Sequence, residues 1–402
     1  NFEGFLKDKI TSNKIEAAHD FPSIKLPKLD PFSLGIIIVG PWRGKVKQLN
    51  SFRGALKKWQ KLTGWPILAD PLSGVENDQE GLINHWDLFF SIGLFKKIKE
   101  IQVLRLGPIP PSRELQTWLK KPGKFQLLIT EGDCRNLDPI GGSTQFSEGF
   151  SCWVDKILEC IPVKPAIDKK IVSQKLTKEL IKYDLFIHDW LDKRLFRNGL
   201  ITEPALARLL PRLLPDSIPV MIASSSPIRD WLSYSGEGAF LRRCFGFRGA
   251  SGIDGTLSMG MGLSIIMGRM VLITGDLALL HDTNGWLFSK DKNISLIVIM
   301  IDNGGGGIFN QLNIDRIEEG DFEEIFLMPQ QVCHLTLAKA YGLKYKQVAC
   351  LDDLEKAIEW SFSLSTNVLI RVCTNSIEDH RLRVNLSDDL KKTLSENLSS
   401  FD

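Results

Sequence analysis

Two residues stand out for the chemistry that their types and spacing allow. Asp276, in Gly275-Asp276-Leu277, follows the apolar run Met270–Thr274, and Asn303, in Asn303-Gly304-Gly305-Gly306-Gly307, follows Ser295–Ile301, twenty-seven residues further on. A carboxylate and a carboxamide oxygen are hard donors that suit Mg²⁺, with Mn²⁺ as an alternative, and Mg²⁺ usually keeps phosphate oxygens in its shell. A backbone carbonyl in the glycine run would give a third protein ligand. The same glycines allow positive φ and close approach to a diphosphate, with backbone N–H groups offered as an anion nest. Taken singly, Gly-Asp is an ordinary helix start and Asn-Gly-Gly an ordinary turn. Joined by one strand–helix–strand interval, they point to a metal–phosphate edge.

That interval sets the elements. Both apolar runs read as buried parallel strands, and Leu277–Lys290 has the length of a crossover helix. A right-handed strand–helix–strand unit brings the ends of both strands to the same edge of a sheet, so the two side chains should face each other. Around them a second α/β series is expected from about residue 196. Its strands are Pro219–Ala223, Leu343–Val348 and Val368–Val372, and its helices lie near 227–234, 252–268, 330–341 and 351–364. A first series precedes it, with strands Gly35–Val39, Pro66–Ala69, Ile101–Leu106 and Phe125–Thr130 and helices near 50–62 and Arg113–Leu119. The fold expected is α/β, two doubly wound parallel-sheet domains over 34–195 and 196–402. Residues 1–33 form an extended lead-in, 150–200 a helical connector, and the charged tail from Asp379 a surface helix or partly disordered segment.

Composition narrows the function. A chain of 402 residues supports two domains, and a formal net charge of +2 gives no case for nucleic acid or an anionic membrane as partner. Seven scattered cysteines without a Cys-x-x-Cys argue against disulfides or a zinc site and for a reducing compartment. No apolar run approaches the ~18 residues of a membrane span. The first residue is Asn1 rather than Met, and the first strand begins near Leu34, which leads us to expect a truncated or processed N-terminus.

The Gly-Asp…Asn spacing resembles the cofactor motif of thiamine-diphosphate enzymes. Gly275–Asp282, Asn303–Phe309 and Arg248–Gly255, with Leu68–Gly74 in the first domain, are similar to one family among them, 2-succinyl-5-enolpyruvyl-6-hydroxy-3-cyclohexene-1-carboxylate synthase. The resemblance runs from about residue 34 to 375. It implies that Asp276, Asn303 and the Gly305 carbonyl hold Mg²⁺ against thiamine diphosphate, with Gly275, Leu277, Gly304, Gly306 and Gly307 around the diphosphate. Ile253 is implied as the apolar wedge that bends the cofactor into a V, and is otherwise an ordinary core residue. Arg229, Arg248 and Ser225 are implied as contacts to substrate carboxylates, which guanidinium forks bind bidentately. Arg113 falls where the family has a basic residue reaching from the central domain, although Glu114 replaces the second one. Ile308 and Phe309 would line the substrate pocket.

The activity implied is decarboxylation of 2-oxoglutarate and conjugate addition of the resulting succinyl-semialdehyde carbanion to isochorismate, in menaquinone and phylloquinone synthesis. The resemblance also implies a homodimer or homotetramer with active sites shared between subunits. A further domain before Asn1 would carry an activating glutamate that no residue here matches. Location would be the bacterial cytoplasm or the plastid stroma. An acetolactate-synthase-like enzyme and a non-catalytic α/β scaffold are the alternatives. His281 reads as a satisfied helix residue, Cys244 lacks a base, and Gly260-Met-Gly262 lacks the third glycine and position of a dinucleotide fingerprint.

Overall fold

The computed structural model describes residues 26–98, 100–160, 167–196, 199–247, 252–312 and 319–398. The central strands form where apolar residues run with few breaks, and most helices where such residues recur on one face. The first half contains β1 (Gly35–Val39), α1 (Leu49–Thr63), β2 (Ile67–Ala69), β3 (Leu82–Ile83), α2 (Trp86–Ser91), β4 (Ile101–Leu106), α3 (Arg113–Leu119), β5 (Lys124–Ile129), β6 (Ser143–Phe146), α4 (Phe150–Cys160) and α5 (Ile167–Leu195). The second contains α6 (Glu203–Leu213), β7 (Val220–Ile222), α7 (Ser226–Tyr234), β8 (Cys244–Gly246), α8 (Thr256–Met267), β9 (Met270–Gly275), α9 (Asp276–His281), β10 (Leu296–Asp302), α10 (Glu319–Phe322), α11 (His334–Ala340), β11 (Lys344–Val348), α12 (Leu351–Phe362), β12 (Val368–Cys373) and α13 (Ser376–Leu398).

The strands make two six-stranded sheets, ordered β3-β2-β1-β4-β5-β6 and β11-β12-β10-β9-β7-β8, and every pairing within them is parallel. The first sheet reverses its winding once, between β1 and β4; the second reverses between β7 and β9, and again at its edge, where β12 inserts between β10 and β11. In doubly wound folds the crevice at such a reversal is where ligands bind. The first crevice is shut. A Cβ added at Gly40 would lie 1.6 Å from the Pro108 carbonyl oxygen, so the loops after β1 and β4 touch backbone to backbone. What remains there is a cavity of about 20 Å³, between Trp42, Phe52, Ile129 and Thr130. The second crevice is open.

Several expectations change. The short strands β3, β6 and β8 and the helices α2 and α6 were not anticipated. Two of those strands have only two or three residues, too few to show a period. The expected connector at 150–200 is two helices, of which α4 packs on α1 within the first domain's outer layer. Of the lead-in 1–33, residues 1–25 lie outside the described residues. The remainder is packed: Leu29 is buried, and the Pro27 carbonyl accepts from Trp153 Nε1 at 2.9 Å.

The charged tail takes the helical one of its two expected forms. It is a 23-residue helix, α13, with Leu386, Leu390 and Leu394 buried beside Trp190, Leu191 and Leu195 of α5. Most of its charged residues lie on the outer faces, which is why composition alone reads as surface, but Asp379 is buried and Arg383 nearly so. Because Leu390 is 1% exposed, Leu390→Ala should destabilise the chain by about 2–5 kcal/mol, measured by denaturant unfolding. A dispensable tail would show no change.

Candidate active site

β9 and β10 pair in even register, Leu296 with Met270 through Ile301 with Gly275, so their carboxyl ends are level. Asp276 begins α9 and Asn303 follows β10, and both line one cleft of about 850 Å³. Asp276 is 5% exposed. Burial pushes its carboxyl up to about 7. The Leu277 N–H, 2.7 Å from Oδ1, and the Gly305 N–H pull the other way, while Asp302 adds to the rise. The Asn303 Oδ1 is buried and has no hydrogen-bond partner. A buried carboxyl beside a second carboxylate and an unpartnered carboxamide oxygen is a donor set that fits a divalent cation. Among the described residues, no three His, Cys, Asp or Glu side chains converge on a metal. Such a cation would therefore need oxygens from backbone, water or a phosphate to fill its shell.

The glycine run does something other than expected. Its N–H groups do not converge as an anion nest. Gly304 donates to Asp302 Oδ1 at 3.2 Å, Gly306 to the Leu327 carbonyl at 2.6 Å and Gly307 to the Gly305 carbonyl at 2.9 Å, while the Gly305 N–H serves Asp276. The run is instead a packing device. A Cβ at Gly305, where φ is +131°, would sit 2.0 Å from the Leu327 carbonyl oxygen, and one at Gly307 would sit 2.6 Å from Asn303 Nδ2. The Gly305 carbonyl accepts one hydrogen bond, which leaves it a second lone pair.

The cleft also gathers most of the other expected residues: Arg113, Ser225, Arg229, Ile253, Gly275, Leu277, Gly306, Ile308 and Phe309 all line it. Arg113 comes from the first turn of α3, which Ser112 caps by accepting from the Leu115 N–H at 3.1 Å. Arg229 lies one turn into α7 and donates to the Ser225 carbonyl at 2.8 Å. Ser225 has φ +76° and ψ −141°, a strained backbone for a residue with a side chain. Such strain persists where surrounding structure fixes it, often at functional sites. Ile253 and Phe309 are each 37% exposed, and Phe309 meets Phe326 edge-on at 5.4 Å. Arg248 lies outside the described residues. Asp70, in the Leu68–Gly74 motif, is not in this cleft: it caps the turn after β2, accepting from the Leu72 N–H at 2.7 Å.

Sequence reading missed a buried network behind Asn303. The Asn303 Nδ2 donates to Glu203, which pairs with Arg383 of α13, and Arg383 also binds Asp230 of α7, at 3.0 Å through Nε and 2.5 Å through Nη2. Burial raises Asp230 to about 6 and Asp379 to about 7. Thr202, capping α6 just before Glu203, was the only legible trace, and it marks a helix start rather than a site.

Comparison with known proteins supplies the family. A model of the thiamine pyrophosphate enzyme C-terminal TPP-binding domain matches residues 228–372. Over 400 residues, the whole of this chain, the sequence is 96% identical to a 2-succinyl-5-enolpyruvyl-6-hydroxy-3-cyclohexene-1-carboxylate synthase of Prochlorococcus marinus strain NATL1A, covering 67% of that protein. The chain belongs to this synthase family. A synthase of the same name from strain MIT 9313 is 50% identical over 366 residues, 90% of this chain and 62% of the relative. Membership makes this a chain of a thiamine-diphosphate-dependent transferase of menaquinone and phylloquinone synthesis. It spans about two thirds of the length of the most similar relatives named.

Two outcomes follow from the site's electrostatics and strain. Unfolded Asp276 releases its proton near 3.8 but the folded one keeps it to about 7. The native state therefore binds more protons in that window, and stability without metal should fall as pH rises through it. Asp276→Asn should flatten part of the slope in urea unfolding measured across the window, with Asp230 and Asp379 keeping the rest; an unchanged slope contradicts this. Ser225→Gly, by releasing the strained φ, should raise stability by about 1 kcal/mol in the same assay.

Proposed function

We propose that the open crevice of the second sheet binds thiamine diphosphate through a divalent cation, Mg²⁺ or Mn²⁺. Asp276, Asn303 Oδ1 and the Gly305 carbonyl would hold the cation. The observation that carries this reading is the buried, unpartnered Asn303 Oδ1 beside Asp276. When bound, the cofactor supplies the electron sink that lets a 2-oxo acid lose carbon dioxide.

The chain's own residues bind and orient. Ile253 stands in the cleft as the apolar support under the cofactor. Arg229 and Ser225, at the β7 end, and Arg113, from the first domain, take carboxylates of 2-oxoglutarate and isochorismate, joined by Arg248. Ile308 and Phe309, with Phe326 behind, give the pocket an apolar side that excludes water. The product is the cyclohexene carboxylate for which the relatives are named, made by conjugate addition of the decarboxylated unit to isochorismate.

Subunits pair as a dimer or tetramer in this reading. An apolar surface supports it: Met259, Ile265 and Ile266 of α8 and the adjoining Leu287 and Phe288 are exposed. Cyanobacterial relatives, and the lack of any described helix long and apolar enough to cross a membrane, support a cytoplasmic or stromal setting.

Calorimetry with thiamine diphosphate and Mg²⁺ tests the cofactor site: wild type should bind, and Asp276→Ala should lose most of that affinity. With 2-oxoglutarate and isochorismate, in the protein completed by the part that the longer relatives carry, Arg229→Ala should cut kcat/KM by about 10–100-fold, the loss of a charged hydrogen bond. Preference for pyruvate over 2-oxoglutarate would sink the substrate assignment. Failure of both proteins to bind cofactor, each completed by the part that the longer relatives carry, would favour a scaffold.

A further inference from the structure

The Asn303 carboxamide has two ends of opposite chemistry, and only the oxygen can face a cation. Its Nδ2 donates to Glu203 Oε1, 100 residues away in sequence. A carboxylate can only accept, so the amide must turn its NH₂ toward Glu203 and its Oδ1 away. That Oδ1 is the buried, unpartnered atom at the cleft beside Asp276. Glu203 is fixed in turn. Its Oε2 accepts from Arg383 Nη2, its backbone N–H donates to Asp379 Oδ1 at 2.9 Å, and it is 3% exposed. Gly307 completes the cage, since a Cβ there would come within 2.6 Å of Asn303 Nδ2.

We propose that Glu203 is a positioning residue that aims the Asn303 oxygen at the cation, with Arg383 of α13 locking it in place. This rests on the cation site proposed above. It turns the C-terminal helix from a packing element into part of the metal site's support, although α13 donates no ligand. Residues that orient a metal's direct ligands commonly govern its affinity by about 10–100-fold.

The geometry permits a test by exchange of donor and acceptor. In Glu203→Gln a single oxygen remains, and Arg383 claims it. The new NH₂ then meets Asn303, which must flip and present Nδ2 to the cation. In Asn303→Asp the second carboxylate oxygen meets the Glu203 carboxylate. Combined, the two changes restore a donor–acceptor pair, with an Asp oxygen facing the cation. Mn²⁺ affinity would be titrated by electron paramagnetic resonance on the full chain with thiamine diphosphate present. Melting of the unliganded protein would report folding.

Wild type should bind Mn²⁺ and Asp276→Ala should not. Glu203→Gln should bind about 10–100-fold more weakly, and the double variant should recover most of that loss. Asn303→Asp alone should bind more weakly than wild type, even though it adds a charge to the ligand. Equal affinity of wild type and Glu203→Gln, or a double variant no better than Glu203→Gln, overturns the positioning role and leaves the cation site standing. No Mn²⁺ binding by wild type overturns both. If Glu203→Gln does not fold, Asn303→Asp decides: tighter binding than wild type overturns the role, weaker binding supports it.

Discussion

The even parallel pairing of β9 with β10 is the constraint on which the cleft depends. Leu296 through Ile301 sit opposite Met270 through Gly275. That register delivers a carboxylate and a carboxamide to one edge at one height. A slip of one residue would turn each strand's side chains to the opposite face and take Asn303 out of reach of Asp276. The pairing is secured on both sides, by β12 next to β10 and β7 next to β9, and by residues that are almost all fully buried. The neighbouring strand end, after β7, brings Ser225 and Arg229 to the same edge. The first domain adds the start of α3, which carries Arg113, and α2, whose Asp87, Leu88 and Ser91 line the cleft.

The two domains share a winding but not a use. Both sheets wind outward from an inner reversal, β1–β4 in one and β7–β9 in the other, and each leaves a place where loops could part. After β1 and β4 the loops close on each other through Gly40 and Pro108. After β7 and β9 they part into a cleft of about 850 Å³. Topology marks candidate crevices, but the side chains and close contacts at the loop decide which one is a site. The first domain's share is support: Asp70 shapes the turn after β2, and Leu72 in that turn lies against Gly246 of β8.

What could be read from sequence follows a physical line. β1 and β4 fall where the apolar runs placed them, and β9 and β10 within one residue of it at each end, because a strand buried on both faces is mostly apolar; β4 holds Arg105 inside by pairing it with Asp138. Asp276 and Asn303 were legible because the crossover between them has a fixed length. β3, with two residues, and the polar β6 carry no such signal. The helix α13 was expected, but not the burial of Leu386, Leu390 and Leu394, which are the apolar face of an otherwise charged segment. Glu203 was missed for a different reason. Its meaning lies in contacts 100 and 180 residues away, to Asn303 and Arg383, and no local pattern encodes them. The glycine run was found, but its purpose was misassigned, since spacing cannot tell a backbone that faces a ligand from one that packs under a neighbouring turn.

The buried pair of Glu203 and Arg383 has a consequence in time. The two residues are separated by 180 residues of chain. At a synthesis rate of roughly 5–20 residues per second, Glu203 and Asp230 leave the ribosome on the order of ten seconds or more before Arg383. During that interval the second sheet can begin to assemble, but two acids destined for its interior have no counter-charge. Until Arg383 arrives, burying those acids would leave them without their counter-charge. The order of translation thus places the completion of Asn303's support after every strand of the second sheet has been made.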